Sequence, residues 1–327
     1  MQGEMASPRT SGARRIWRWA AVVASVVIAA VVFSAPGPNP NLRSAIAVHD
    51  FAHVVAFGVV TVLFALVLDV RSRATFRGRV GATCLAAGAA LALGAIVEVA
   101  QAATGLHGDP WDAVRDGGGA FSVALILVAI GPGISRRLRV TLAGAAIVVL
   151  AAFMYPLFVA LHDEARARTQ FPVLASFETR NELSRFNFSE GVRSRIVSIT
   201  DDKGRTISAV QLHFPTGKYP GFELRYFPRD WQGMRALELM FMNPESTPTE
   251  IAVRIDDVAY RFYWYDRYNR SFPLSPGLNR IEIPLADVTT APRDRRFDLA
   301  RVHSLLVFAV DLKQPRSIII GPITLLH

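Results

Sequence analysis

The sequence is nearly without cysteine: Cys84 is the one thiol in 327 residues, and it lies inside an apolar run. A disulfide framework and a thiolate metal cluster are therefore both excluded. Internal repeats and low-complexity tracts are absent. No nucleophile motif and no phosphate-binding glycine loop is found, so no cofactor is expected. Basic charge is also missing where a nucleic-acid partner would need it. The chain carries a net charge of +9, but residues 1–161 hold 13 Lys and Arg against 7 Asp and Glu, whereas residues 162–327 hold 23 against 20. The excess sits in short loops between apolar segments, where basic residues set membrane topology. Nucleic acid is not an expected partner.

What is present is apolar sequence, 51% of the chain, concentrated before residue 162 in unbroken runs. Runs able to cross a bilayer, about 20 residues each, fall near 16–34, 46–68, 80–102, 112–131 and 140–161. Arg9, Arg14, Arg15 and Arg18 precede the first run. Arg71, Arg73, Arg77 and Arg79 follow the second, and Arg136, Arg137 and Arg139 follow the fourth. The alternate breaks carry only Arg43 and Arg115. Eleven against two predicts a multi-pass protein of the plasma (inner) membrane with a cytoplasmic N-terminus over residues 1–15 and an extracytoplasmic C-terminal half. The first run also has the basic start and short apolar core of a signal peptide, with "SAPGP" as its cleavage site. A retained helix is the expectation.

Polar residues interrupt these runs at one predicted depth. Asp50 and His53 lie near the outer end of the second run, Glu98 and Gln101 near that of the third, and Asp112 and Asp116 open the fourth. Asp50, His53 and Phe57 share one helix face by their i, i+3, i+7 spacing, as do Asp109, Asp112 and Asp116. Each charge facing lipid would cost roughly 2.5–3.5 kcal/mol, so the faces should meet inside a bundle or a wet cleft. Small residues in "AAGAALALG" and Gly117–Gly119 allow helices to approach closely. Simpler roles compete. Asp109 before Pro110 reads as an N-cap, Asp112 sits where a capping acid would, Gln101 can satisfy a helix end, and Asp50 with His53 can be a structural pair. Glu98 and Asp116 lie deeper, and with His53 they are the candidates for acid–base chemistry. His49 and His53 without a third nitrogen or sulfur ligand make a weak zinc signal, and no metal is expected.

"HDFAHVVAF", then "EVAQ", then "DAVRDGGGA" resemble the VanZ-like membrane family over roughly residues 14–135. Asp50, His53, Phe57, Glu98, Gln101, Asp112 and Gly119 match its pattern. His107 stands where that family usually has Arg, and Asp116 where it has Asn. The resemblance implies a role in the cell envelope without supplying a reaction.

After a linker at 162–170, residues 171–327 break into short alternating runs such as "RSRIVSIT", "FELRYF", "EIAVRID" and "SIIIGPITLL", with turns at "TGKYPG", "NPESTP" and "SPGLN". This pattern predicts a β-sandwich, so the chain reads as a helical membrane bundle of about five spans followed by an all-β domain. The order "FPRDWQGMRALELMFMNP", "IAVRIDD", "YDRYNRSFPLSPGLNRIEIPLADV", "RFDLARVHSLLVFAV" resembles the galactose-binding-like jelly rolls of carbohydrate-binding modules. "YRFYWYDRYNRSF" reads as an aromatic strand with Tyr263 and Tyr265 on one face and Phe262 and Trp264 on the other, one pair filling the core. Tyr263, Tyr265, Asp266, Arg267 and Asn269 are the ligand-binding candidates. Trp231 is assigned to the core, and the adjacent Asp256 and Asp257 make a poor calcium site.

Three functions fit. The first is an envelope protein presenting a sandwich that binds glycan or glycolipid, with membrane lipids as further partners. The second is a membrane enzyme using carboxylate acid–base chemistry on a lipid-linked substrate. The third is a proton-linked sensor or transporter.

Overall fold

A computed structural model describes residues 9–34, 39, 42–104 and 109–327. Residues 1–8 of the predicted tail, most of "SAPGP", and His107 lie outside the described residues. The chain divides into two compact units, Met1–Ala160 and Leu161–His327.

The first unit is helical. Its helices are α1 (Arg9–Ser34), α2 (Arg43–Val67), α3 (Phe76–Ala103), α4 (Pro110–Ala129) and most of α5 (Arg136–Thr169). Their starts follow capping chemistry. Thr75 accepts from the Gly78 amide at 3.1 Å ahead of α3. Asp109 accepts from the Trp111 amide at 3.0 Å ahead of α4, with Pro110 in its first turn, filling positions whose N–H groups have no helical partner. Among the described residues four helices, α1, α2, α3 and α5, are long and apolar enough to cross a membrane. Five such spans are expected from the sequence. The difference is α4, whose 20 residues carry Asp112, Arg115 and Asp116 in its first two turns.

Helices α2 and α4 meet backbone to backbone. A side chain at Gly119 would come within 2.0 Å of the Val54 carbonyl oxygen, and one at Gly118 would enter the Phe153 ring. This approach brings Phe57, Val60, Ala90 and Ala120 into one buried cluster from α2, α3 and α4.

Residues 162–169, expected to be linker, are helical and continue α5. Beyond them the second unit is a sandwich of two antiparallel sheets. One sheet orders β3 (Arg193–Thr200), β4 (Thr206–Phe214), β11 (Arg316–Leu326), β6 (Ala236–Asn243) and β9 (Gly277–Pro284), with β1 (Val173–Ala175) also paired to β11. The other orders β2 (Phe186–Phe188), β5 (Gly221–Leu224), β10 (Val302–Phe308), β7 (Thr249–Asp257) and β8 (Tyr268–Leu274). Inward residues of the two sheets close one core that includes Leu239, Phe241, Val253, Ile255, Leu305 and Ile320, and Trp231 is fully buried in it. Asp163, on the last turns of α5, joins this unit through Arg185, which is fully buried. Arg185 donates to both carboxylate oxygens at 2.9 and 3.0 Å and to the Leu174 carbonyl at 2.8 Å. The planar guanidinium suits such a bidentate, enclosed pair.

Candidate functional site

The helical unit gathers most of its predicted polar set. Asp116 and His53 are almost wholly buried, and the His53 Nδ1 lies 3.0 Å from Asp116 Oδ1. The other ring nitrogen, Nε2, lies 3.7 Å from Asp112 Oδ2. One imidazole on α2 is thus flanked by two carboxylates of α4, four residues apart on one helix face. Arg115 organises the rest. It donates to Asp50 at 2.9 Å and to Asp109 at 3.0 Å, and it also pairs with Asp112. Glu98 on α3 is half-buried within electrostatic reach of His53, Asp112 and Asp116. Its Oε1 atom is enclosed and has no hydrogen-bond partner. Gln101, three residues further along α3, is half-buried. Asp109 performs the capping task its position predicts, but it serves Arg115 as well. The rings of His49 and His53 lie 5.3 Å apart and tilted by 54°. Among the described residues, no group of three or more His, Cys, Asp or Glu is placed to hold a metal ion.

Sequence reasoning counted Arg115 as a loop charge and missed its role. The signal was present in the spacing, since Arg115 falls three residues after Asp112 and six after Asp109 on a helix.

In the sandwich, the aromatic segment is not a strand. Residues 258–267 form a loop, and β8 begins only at Tyr268. Neither pair of rings fills the core: Phe262 is 87% exposed and Trp264 68%. The Tyr263 and Tyr265 rings stack on each other within the loop, 5.4 Å apart and 2° from parallel. The reason for a loop is Asp266. Its side chain is buried and accepts from the Arg261 amide at 2.8 Å and from Arg295 Nε at 2.6 Å. Arg295 also pairs with Asp257, which accepts from the Asp298 amide at 2.8 Å. A buried carboxylate held this way folds the chain back on itself, which a strand cannot do. Asp266 is therefore spent on structure and does not face a ligand. Asp256 and Asp257 are engaged with Arg254 and Arg295, as ion pairs.

The folded loop walls a groove of about 610 Å³ over the outer face of the five-stranded sheet. Strand register explains its lining. Residues directly opposite across the strands read Asn187–Glu223–Leu306–Arg254–Asn269, one row from β2 to β8. The next row reads Gly221–Phe308–Ala252–Ser271. One row is polar apart from Leu306, and the other is small except for Phe308, so a trough forms between neighbouring elements. A side chain at Gly221 would meet the Val307 carbonyl oxygen at 2.2 Å. Tyr219 and Trp264 stand at the groove as aromatic walls, and Arg267 and Asn269 also line it. The Asn269 Oδ1 atom is buried without a hydrogen-bond partner. Two ligand candidates from the sequence, Arg267 and Asn269, therefore reach the groove. Tyr265 lines an adjoining cleft of about 330 Å³, and Tyr263 lines neither. Tyr219, Glu223, Arg254 and Phe308 went unassigned, and Trp264 was read only as half of an aromatic pair on a strand face. Glu223, Arg254 and Phe308 alternate visibly along their strands, but the register that aligns them is not visible, and Tyr219 and Trp264 lie outside the strands.

The residues define a chain of two parts, a helical unit with several apolar helices and a sandwich with an aromatic-walled groove. No family model matches the chain, and no curated protein matches it. Among solved structures, an exo-β-agarase is similar at 17% identity and a TM-score of 0.39, covering 47% of this chain and 24% of that one. A family 11 carbohydrate-binding module from Clostridium thermocellum, in complex with a β-1,3-1,4-mixed-linked tetrasaccharide, is similar at 14% identity and a TM-score of 0.37, covering 47% and 94%. A family 30 carbohydrate-binding module of a cellulosomal cellulase from the same organism is similar at 14% identity and a TM-score of 0.31, covering 43% and 88%. The chain thus spans about a quarter of the agarase.

Proposed function

We propose that this is a membrane protein of the cell envelope, with a VanZ-like helical unit, whose extracytoplasmic sandwich binds a saccharide chain in the groove over the five-stranded sheet. The groove itself carries this reading. Its volume falls within the range of small-molecule sites, and a few polar groups converge between aromatic walls. The row Asn187–Glu223–Leu306–Arg254–Asn269 offers amide, carboxylate and guanidinium groups at strand spacing, across roughly 19 Å. Hydroxyl groups on a sugar both donate and accept, so a mixed row of this kind suits them. Aromatic faces such as Trp264 and Tyr219 suit the apolar faces of sugar rings. The test is calorimetric titration of the full chain, in detergent or nanodiscs, with soluble oligosaccharides from peptidoglycan, lipopolysaccharide and capsule. At least one should bind, and Trp264→Ala should weaken it about tenfold or more, near 1.4 kcal/mol. Absence of binding to every saccharide overturns the reading.

A second reading is supported by the imidazole of His53 with a carboxylate at each nitrogen. Glu98, Asp50, Asp109 and Arg115 stand around it, so ionisable groups from three helices share one enclosed site. It would hold an exchangeable proton, for sensing or for acid–base chemistry on a lipid-linked substrate. The thermal midpoint of the full chain between pH 5 and 8 should vary, and in His53→Gln that variation should shrink. An identical profile in the variant removes this reading.

A further inference from the structure

Most arginines around the 258–267 loop are neutralised by nearby carboxylates. Arg261 and Arg295 pair with Asp266, Arg295 also with Asp257, and Arg254 with Asp256 at 2.7 Å. Two differ. Among the described residues Arg267 makes no ion pair: its Nη1 donates to the Tyr260 hydroxyl at 2.9 Å, and its guanidinium lies 5.7 Å from that ring. Its Nε is buried with no hydrogen-bond partner. Arg293 likewise has no carboxylate partner among the described residues. Its guanidinium lies 5.3 Å from the Tyr265 ring, and its amide donates to the Tyr265 carbonyl at 3.0 Å. Both therefore sit on aromatic faces, which fix a guanidinium without cancelling its charge.

The two line the same cleft of about 330 Å³, with Trp264, Tyr265 and Arg270. Its one carboxylate, Asp287, stands 3.8 Å from Arg270. Three guanidinium groups against one carboxylate leave a net positive cleft. Trp264, Arg267 and Asn269 line this cleft and the groove alike. The groove and the cleft are therefore neighbours with shared walls.

We propose that the cleft takes an anionic substituent carried by the bound saccharide, so that the site selects acidic over neutral glycans. This rests on the saccharide reading given above. A guanidinium presents paired N–H donors that match carboxylate, phosphate and sulfate oxygens, and both Arg267 and Arg293 line the cleft. Only the acidity is read from the cleft; the three anions differ in source and are separated by the assay.

The test titrates the full chain in nanodiscs with oligosaccharides of equal length and four kinds: neutral, uronate-bearing, phosphorylated and sulfated. At least one acidic series should bind tenfold or more tightly than the neutral one, and the tighter series identifies the substituent. That preference should fall to threefold or less in 1 M salt, where screening acts over about 3 Å. Arg293→Gln and Arg267→Gln should each reduce the ratio of acidic to neutral affinity at least threefold. Arg195→Gln, on the exposed edge strand β3 of the other sheet, should leave it unchanged, and melting temperatures confirm folding. Equal affinity for neutral and acidic series, or a ratio untouched by both cleft variants, overturns the proposal while leaving saccharide binding intact. If no series binds at any charge, the saccharide reading fails first.

Discussion

Burial pushes the Asp266 carboxyl above its ordinary value, because a charge is poorly solvated inside the protein. Hydrogen bonds from Arg261 and Arg295 outweigh that and hold it at about 2. The folded value lies below the unfolded one, near 3.9. The contribution of Asp266 to stability is therefore present above pH 4 and is lost as the pH falls toward 2. Melting followed by near-ultraviolet dichroism should show the sandwich weakening across that window, and Asp266→Asn should flatten this part of the profile. A variant with the same acid slope as the wild type would place the transition on other groups. At this scale the sequence was readable for residue type more than for partner. Asp266, Arg267 and Asn269 were singled out as polar groups after an aromatic run. Which of them faces a ligand depends on Arg261 and Arg295, and Arg295 stands 29 residues further along the chain. Arg115 is the converse case: its partners Asp109 and Asp112 are local, so the spacing held the signal, yet the residue was read only as a loop charge.

Helix α2 touches α4 through glycine, so close approach is what makes the His53–Asp116 contact possible. Gly119→Leu should separate the helices and lower stability by about 1–3 kcal/mol, the usual range for overpacking. Gly81→Ala, on α3 with open space where the methyl would go, should be neutral or slightly stabilising, because alanine favours a helix over glycine. Thermal melting in one detergent compares them; equal midpoints would show that the Val54–Gly119 approach is dispensable. The end of α5 makes a sharper case. Asp163→Ala leaves a buried Arg185 without its carboxylate and should cost about 3–5 kcal/mol, whereas Asp163→Leu with Arg185→Met should recover much of that loss. Recovery by neither pair member nor both would point to backbone damage instead. The length of the unbroken apolar runs located the five helices of the first unit to within a few residues at most ends. It stopped α5 at 161 because "HDEARART" is polar, and polar sequence reads as linker unless one knows that Asp163 has a buried partner in Arg185. The strand pattern failed at "YRFYWYDRY" for a related reason: aromatic density imitates a strand, and only the enclosed Asp266 shows that the chain turns there.

Parity governs the whole molecule. Four apolar helices crossing a membrane would leave both chain ends on one side, and five would leave them opposite. The undecided member is α4, and its length of 20 residues corresponds to about 30 Å, the thickness of a bilayer core. Its charges are not free: Arg115 bonds Asp50, Asp109 and Asp112, and Asp116 bonds His53. Mutual pairing of this kind lowers the cost of placing ionisable groups among helices, so α4 is able to cross with its polar face turned toward α2. Charge in the loops points the same way. If α4 crosses, Arg71 to Arg79 and Arg136 to Arg139 share the side of the N-terminus, as the basic-loop bias requires; if it does not, the second group is stranded on the opposite side. A reporter fused after His327 should then be active only when exported, and one placed at Gly133 only when cytosolic. The opposite pair of results would mean that α4 lies against the bilayer without spanning it. In that case the sandwich would face the cytosol, and an envelope glycan could not be its ligand.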